Sequence, residues 1–404
     1  MYSATAITAA IAIAALAVNV IETTPEPPST DAGSTHVVAT DGSGDFSTIA
    51  EAVTAAAEGD TVLVRPGSYV EAIVIDKDIT LTGDGPREEV VISIPEGGPT
   101  FDFAEDGAVQ QFAPAYSLLL DDTQAEVRQL TFAGPEGEVT GHTGAIVVDG
   151  GSPTLSDLVL DGAEFALLIG AGSTATLTDS LVNGGGIEAA DRAEPLIARN
   201  EMRDGASIYG SMGDGTVIRD NTLSGGGGIN VGGFMGDVPT DALIEGNTIT
   251  GATGYAISTA TTIGRSGTPV IRENTISGSR NGIQVGAGPG PGVSADGGAD
   301  PIGGQPLVSG NDISAEMIAI SVNWTDAEVV GNTIRDAWNG IVLIGGGSPA
   351  IIDNEVEVEG MAIDIGANTS PSVDGNSACG GVESIKIHDD ATPSMGENTT
   401  CDAA

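Results

Sequence analysis

Residues 217–223 read VIRDNTL, residues 243–249 read LIEGNTI and residues 270–276 read VIRENTI. The same phrase returns as LIARNEM (196–202), LVSGNDI (307–313), VVGNTI (329–334) and IIDNEV (351–356), with a last copy at residues 373–376. Its asparagines are Asn200, Asn221, Asn247, Asn274, Asn311, Asn332, Asn354 and Asn376, so the steps between them are 21, 26, 27, 37, 21, 22 and 22 residues. A base period of about 22 with insertions is the size of one coil of a β-solenoid. Apolar residues alternate with polar ones on each side of the Asn, which is the period of a strand with one buried face. A helical repeat is excluded, because no apolar spacing of three and four persists and Gly interrupts every segment.

Working outward, a third strand, typically Gly-Ile-x-Val, follows each phrase, as GIQV at residues 282–285, GIVL at 340–343 and AIDI at 362–365. Weaker copies run back to residue 127. The expectation is an all-β, right-handed parallel β-helix of about 11–12 coils. Asn between two strands suits a sharp corner, because it tolerates the left-handed backbone, and stacked amides can bond along the axis. Composition fits a thin, repeated core: 60 Gly, 3% aromatic residues and 40% hydrophobic residues, mostly small or β-branched. At the N-terminal end, Thr48 and Glu51 form a capping box ahead of the apolar face Ile49, Val53 and Ala56. A short helix over 49–57 that closes the first coil is expected.

Fifty-seven acidic residues against 13 basic ones give a formal charge of -44, with Lys77 and Lys386 the only lysines. Such a surface excludes nucleic acid as a partner and suits a salty medium or the collection of cations, Ca²⁺ first. Residues 4–21 are an apolar stretch lacking a basic flank, read as an export signal or membrane anchor. Residues 22–36, rich in Pro, Thr, Ser and acidic groups, read as a linker, and 37–404 as the repeat domain. Any membrane contact is expected through the N-terminal segment alone. The protein is expected at the cell surface or outside the cell, as a monomer. Cys379 and Cys401 are one period apart and follow equivalent asparagines, so a disulfide between adjacent coils is expected.

Three pieces carry a family resemblance: Asp41-Gly42-Ser43-Gly44-Asp45-Phe46, Gly67-Ser68-Tyr69-Val70-Glu71 and Leu81-Thr82-Gly83-Asp84-Gly85. They resemble the opening of pectin methylesterases and of the wider pectate-lyase-like β-helix proteins, closely over about 50 residues. The resemblance implies the fold and its N-terminal cap. The methylesterase catalytic motifs resemble Gln-Asp-Thr and Asp-Phe-Ile-Phe-Gly. Here Ala163-Glu164-Phe165 stands opposite the first and Gly186-Ile187-Glu188 near the second, so methyl ester hydrolysis by that mechanism is not expected. Asp121-Asp122 and Gly141-His142 are similar to part of a polygalacturonase set, but the rest of that set is missing. Asp41, Ser43 and Asp45 mimic a Ca²⁺ loop whose sixth position should be Gly and is Phe46, so a plain turn is expected.

The outward residues of the third strand set read, coil by coil, Val147, Leu168, Glu188, Tyr209, Asn230, Ser258, Gln284, Ser321, Val342, Asp364 and Lys386. A polar stripe from Glu188 to Ser321 is a candidate groove for a polysaccharide or cell-surface glycan. Tyr209, Asn230, Gln284, Trp324 and Trp338 are its expected contacts, the tryptophans as stacking surfaces. Glu188, with Asp191 and Arg192, is the one candidate catalytic cluster, and no second acid is expected beside Glu188. Asp296 and Asp300, in the Gly- and Pro-rich insertion at 286–305, are candidate Ca²⁺ ligands. With no complete catalytic set in view, non-catalytic glycan or cation binding is the expected role. A polysaccharide lyase, hydrolase or epimerase, or a structural spacer or adhesin, are the alternatives.

Overall fold

Alternating residues become short strands, each paired in parallel with the strands one coil before and one coil after. The structure, a computed structural model, describes residues 33–102, 113–135, 141–190, 192–232, 241–259, 267–286 and 304–401. Three long parallel sheets wind around one bore, giving the right-handed parallel β-helix. The third sheet runs from Ile73–Ile75 to Glu383–Ile387 and has thirteen rungs among the described residues. That exceeds the 11–12 coils expected, because insertions between residues 67 and 121 hide the period there.

The bore is filled by columns of like side chains. Ile197, Ile218, Ile244 and Ile271 stack in the first sheet, and Leu223, Ile249, Ile276 and Ile313 in the second; all are buried. Each fully buried Ile or Leu contributes about 1.5–3 kcal/mol relative to exposure, so repetition builds a stable rod from a thin core. One flaw interrupts the lining. Thr259 takes the place held by Val231 and Val285 on the flanking coils, and its buried hydroxyl has no hydrogen-bond partner among the described residues.

The asparagines stack as a ladder, buried from Asn200 to Asn376 and closing on the half-buried Asn398. In Asn274, both the backbone N–H and Nδ2 donate to Oδ1 of Asn311 at 3.0 Å, and Nδ2 also donates to the carbonyl of Ile244. The same pattern repeats at each step. One detail corrects the expectation. The residue in the left-handed region is the one before each Asn from Asn200 to Asn376, such as Arg199, Asp220, Glu273 and Asp353. Asn holds the corner through its side chain, not through an unusual backbone.

Thr35–Val38 pairs with Thr61–Val64, so Thr35 and His36 belong to the first coil and not to a linker. The capping helix spans Ile49–Ala55, and the Thr48 hydroxyl accepts from the Glu51 N–H. Glu71 receives the N–H groups of Ile49 and Ala50 at 3.1 and 3.0 Å. The Gly67–Glu71 motif is therefore the support of the cap. Asp41 accepts from the Ser43 N–H and Asp45 from the Val37 N–H, so that segment is a hydrogen-bonded turn. At the other end, Cys379 and Cys401 form the expected disulfide across adjacent coils, with Cα atoms 4.9 Å apart.

Candidate functional site

The third sheet turns its isoleucines inward and presents the intervening residue outward. Register confirms the column: Leu168 pairs with Glu188, Glu188 with Tyr209, Tyr209 with Asn230, Asn230 with Ser258, Ser258 with Gln284, and Gln284 with Ser321. Its N-terminal part is apolar and covered. Leu119, Val147 and Leu168 are buried with Tyr116 and Phe165 in a second cluster outside the bore, against which Phe101 and Tyr209 pack. Where that cluster ends, an open trough begins.

The trough is a depression of about 420 Å³, within the range of small-molecule clefts, lined by Tyr209, Asn230, Tyr255, Ser258 and Gln284. Glycines at 226, 228 and 254 lower one bank. Ser258 Oγ donates to Gln284 Oε1 at 3.3 Å. At about 4.8 Å per coil, the three steps from Tyr209 to Gln284 extend roughly 14 Å along the axis. The Tyr209 ring lies over Gly186 of the preceding coil, where a β-carbon would come within 2.4 Å of it.

At the N-terminal end of the trough, the Tyr209 phenol neighbours the Glu188 carboxyl, its partner in strand register. Burial pushes the Glu188 carboxyl above its ordinary value; the Tyr209 bond opposes this, the charge of Glu164 adds to it, and His142 opposes it. Burial, then the Glu188 charge and hydrogen bond, push the Tyr209 phenol well above its ordinary range. On the adjacent coil, Nδ1 of His142 lies 2.9 Å from both carboxylate oxygens of Glu164. Its ring is tilted against Phe165 at a centroid distance of 6.1 Å. The two carboxyls stand in different settings, one half-buried beside a phenol and one about half exposed beside an imidazole.

This constellation differs from the expected one. Arg192 is exposed in a left-handed turn, and the charges acting on Glu188 are those of Glu164 and His142. Asp191, Asp296 and Asp300 lie outside the described residues. No group of three or more His, Cys, Asp or Glu in metal-binding geometry occurs among the described residues. Trp324 does not offer the stacking surface expected of it: it is 8% exposed and its indole is pressed against Gly345. Trp338 is 49% exposed, beside the turn into the Asn339–Ile344 strand. Glu164 and His142 went unread as a pair, although their separation of 22 residues is one coil. The coil-to-coil neighbours of Glu188 are Leu168 and Tyr209, as expected, so no second acid stacks beside it.

A model described as right handed beta helix region matches residues 143–296, and one described as pectinesterase matches residues 35–114. No curated protein sequence matches the chain. Among solved structures, pectin methylesterase PemA from Erwinia chrysanthemi is 16% identical, with a TM-score of 0.40 over 62% of this chain and 80% of that one. The A-module of the Azotobacter vinelandii mannuronan C-5 epimerase AlgE6 is 15% identical, with a TM-score of 0.42 over 88% and 94%. The catalytic domain of a GH87 alpha-1,3-glucanase is 12% identical, with a TM-score of 0.44 over 93% and 70%. With the coils and their register, the two matching models identify the chain as a right-handed parallel β-helix of the pectin-lyase-like fold.

Proposed function

We propose that this protein recognises a polysaccharide along the outer face of its third sheet, at the surface of a cell or outside it. The observation that carries the reading is the trough itself. Asn230, Ser258 and Gln284 come from one register column and present amide and hydroxyl groups in a row that begins at Tyr209, with Tyr255 also lining the depression. Hydroxyl-rich rings need such donors and acceptors together with an aromatic edge. A chain lying along the axis would meet the same chemistry at each coil, as a polymer of repeating units requires.

Location outside the cytoplasm is supported by the Cys379–Cys401 bond, which persists in an oxidising compartment. No helix among the described residues is long and apolar enough to cross a membrane. The acidic surface favours cations, including Ca²⁺, as companions of the bound state. Affinity electrophoresis through gels containing laminarin, dextran, xylan or galactomannan tests the reading. Retardation by at least one of them, lost in an Asn230→Ala/Gln284→Ala double variant, is expected. Unretarded migration in all four gels, or retardation untouched by the double variant, would overturn it.

A further inference from the structure

Three of the eight large apolar side chains exposed among the described residues fall in one column. Asn281 pairs with Ile318 and Ile318 with Asn339, so the residues just before them, Arg280, Met317 and Trp338, follow one another on successive coils. Gly360 and Val382 continue the column, since the Gly360 N–H donates to the Trp338 carbonyl and the Val382 N–H to that of Gly360. The column runs along the corner between the second and third sheets, beginning on the coil that carries Gln284, the last residue of the trough. At about 4.8 Å per coil, the four steps from Arg280 to Val382 span roughly 19 Å. Met317, Trp338 and Val382 are 46%, 49% and 69% exposed, and Ile318 and Met361 lie half-buried beside them. On so acidic a chain, a continuous apolar stripe of this length marks a contact surface.

We propose that a second copy of this chain covers the stripe, in a two-fold dimer whose solenoids lie side by side and antiparallel. The order of residues along the column selects that occupant. A two-fold axis crossing the column at Trp338, at right angles to the solenoid axis, sets the two tryptophans against each other. It brings Met317 of each copy opposite Gly360 of the other, a long flexible side chain against a position that has none. Ile318 then meets Met361, apolar against apolar. Two coils from the axis, Arg280 comes opposite Val382, with Glu383 next to it. The Arg280 side chain is exposed and has no hydrogen-bond or ion-pair partner among the described residues. Glu383 bonds Lys386 within its own chain at 3.4 Å through one oxygen, which leaves the other for Arg280.

A parallel pairing lacks this fit, because it sets Arg280 against Arg280 and Gly360 against Gly360. The antiparallel one has a cost of its own. Glu316 and Glu359 meet at its rim, and each copy carries a net charge of -44, so repulsion holds the association weak. The sequence leads one to expect a monomer; the stripe favours a reversible dimer that forms as concentration rises.

Sedimentation equilibrium of the whole chain from about 1 to about 500 µM, in about 0.15 M NaCl, tests the pairing, because charges farther apart than about 8 Å are then screened while contact pairs persist. A monomer–dimer equilibrium with a dissociation constant of about 1–100 µM is expected, as for a small contact. Trp338→Ser should raise that constant at least about 30-fold, since an aromatic side chain at the centre of an interface carries much of its energy. Arg280→Glu and Glu383→Arg should each raise it about tenfold. An equimolar mixture of those two variants should regain wild-type affinity, because their heterodimer restores both opposite-charge pairs. Damage to the fold could not be rescued by mixing. A single species of monomer mass over the whole range would overturn the proposal. So would a Trp338→Ser variant that dimerises like wild type, or a mixture no tighter than its components.

Discussion

The coils before Ser180 and those after it turn the same corner with different chemistry. The position between first and second sheets is Leu130, then Leu158, then Ser180, and from there asparagine at every coil to Asn398. The preceding residue is left-handed on both sides of the change, at Gln129, Asp157 and Asp179 as at Arg199 and Asp220. The bend is therefore set by the backbone of that residue. What fills the corner is a separate choice, apolar volume in the early coils and a hydrogen-bonded ladder in the later ones. The outer face of the third sheet changes at the same level, from covered Leu119, Val147 and Leu168 to polar Glu188 and Tyr209. Ser180 marks the join: its Oγ accepts from the Leu158 N–H, while its own N–H donates to Asn200.

Breaking the ladder should have the largest effect. Asn274→Ala removes the acceptor of two Asn247 donors inside a dry bore, and should cost about 3 kcal/mol. A fall in the urea midpoint with an unchanged m-value would report it. Next, replacing both cysteines by serine opens a 22-residue loop, for which chain entropy gives an upper figure of about 3 kcal/mol. The loss should be confined to the last coil, so hydrogen exchange should quicken at residues 377–401 and remain slow around Asn274. Ser180→Asn should extend the ladder by one rung, since an amide there can accept from Leu158 and donate toward Leu155. A gain of about 0.5–1 kcal/mol in the same denaturation is expected.

The smallest effect concerns pH. The folded-state value of Glu188 lies above its unfolded one, so its protonated form stabilises the fold fully below about 4.5. That contribution is lost as pH rises through the folded value. Glu188→Gln should therefore gain in melting temperature relative to wild type between pH 4.5 and neutrality. Asp60 behaves oppositely. The Ala57 N–H and His36 hold its carboxyl below the ordinary value, so its contribution is present above that value and fades in acid. Asp60→Asn should narrow the stability difference between neutral and acid solution.

The fold was legible because every coil repeats the same bonds: the interval between Asn332, Asn354 and Asn376 alone gives the length of chain in one coil. The outward column was legible for the same reason, as was the disulfide, one period long. The acid site was less so. Glu164 and His142 lie in connections outside the repeated phrase, and their pairing depends on where the chain enters the next strand. Trp324 was misread because a residue just past a strand can fold back, and Gly345 leaves room for its ring. Periodicity fixes which residues stack; it does not fix the direction of a side chain at a turn.

Localising a bound glycan most directly tests the central claim. Hydrogen exchange should be followed with and without a saturating neutral oligosaccharide, drawn from whichever polymer the protein binds. Slowed exchange should be concentrated at Ser207–Gly210, Ile229–Asn230, Tyr255–Ser258 and residues 281–286, with the first and second sheets unchanged. Protection that falls instead on those two sheets or on the N-terminal cap, with the Tyr209–Gln284 column unaffected, would contradict it.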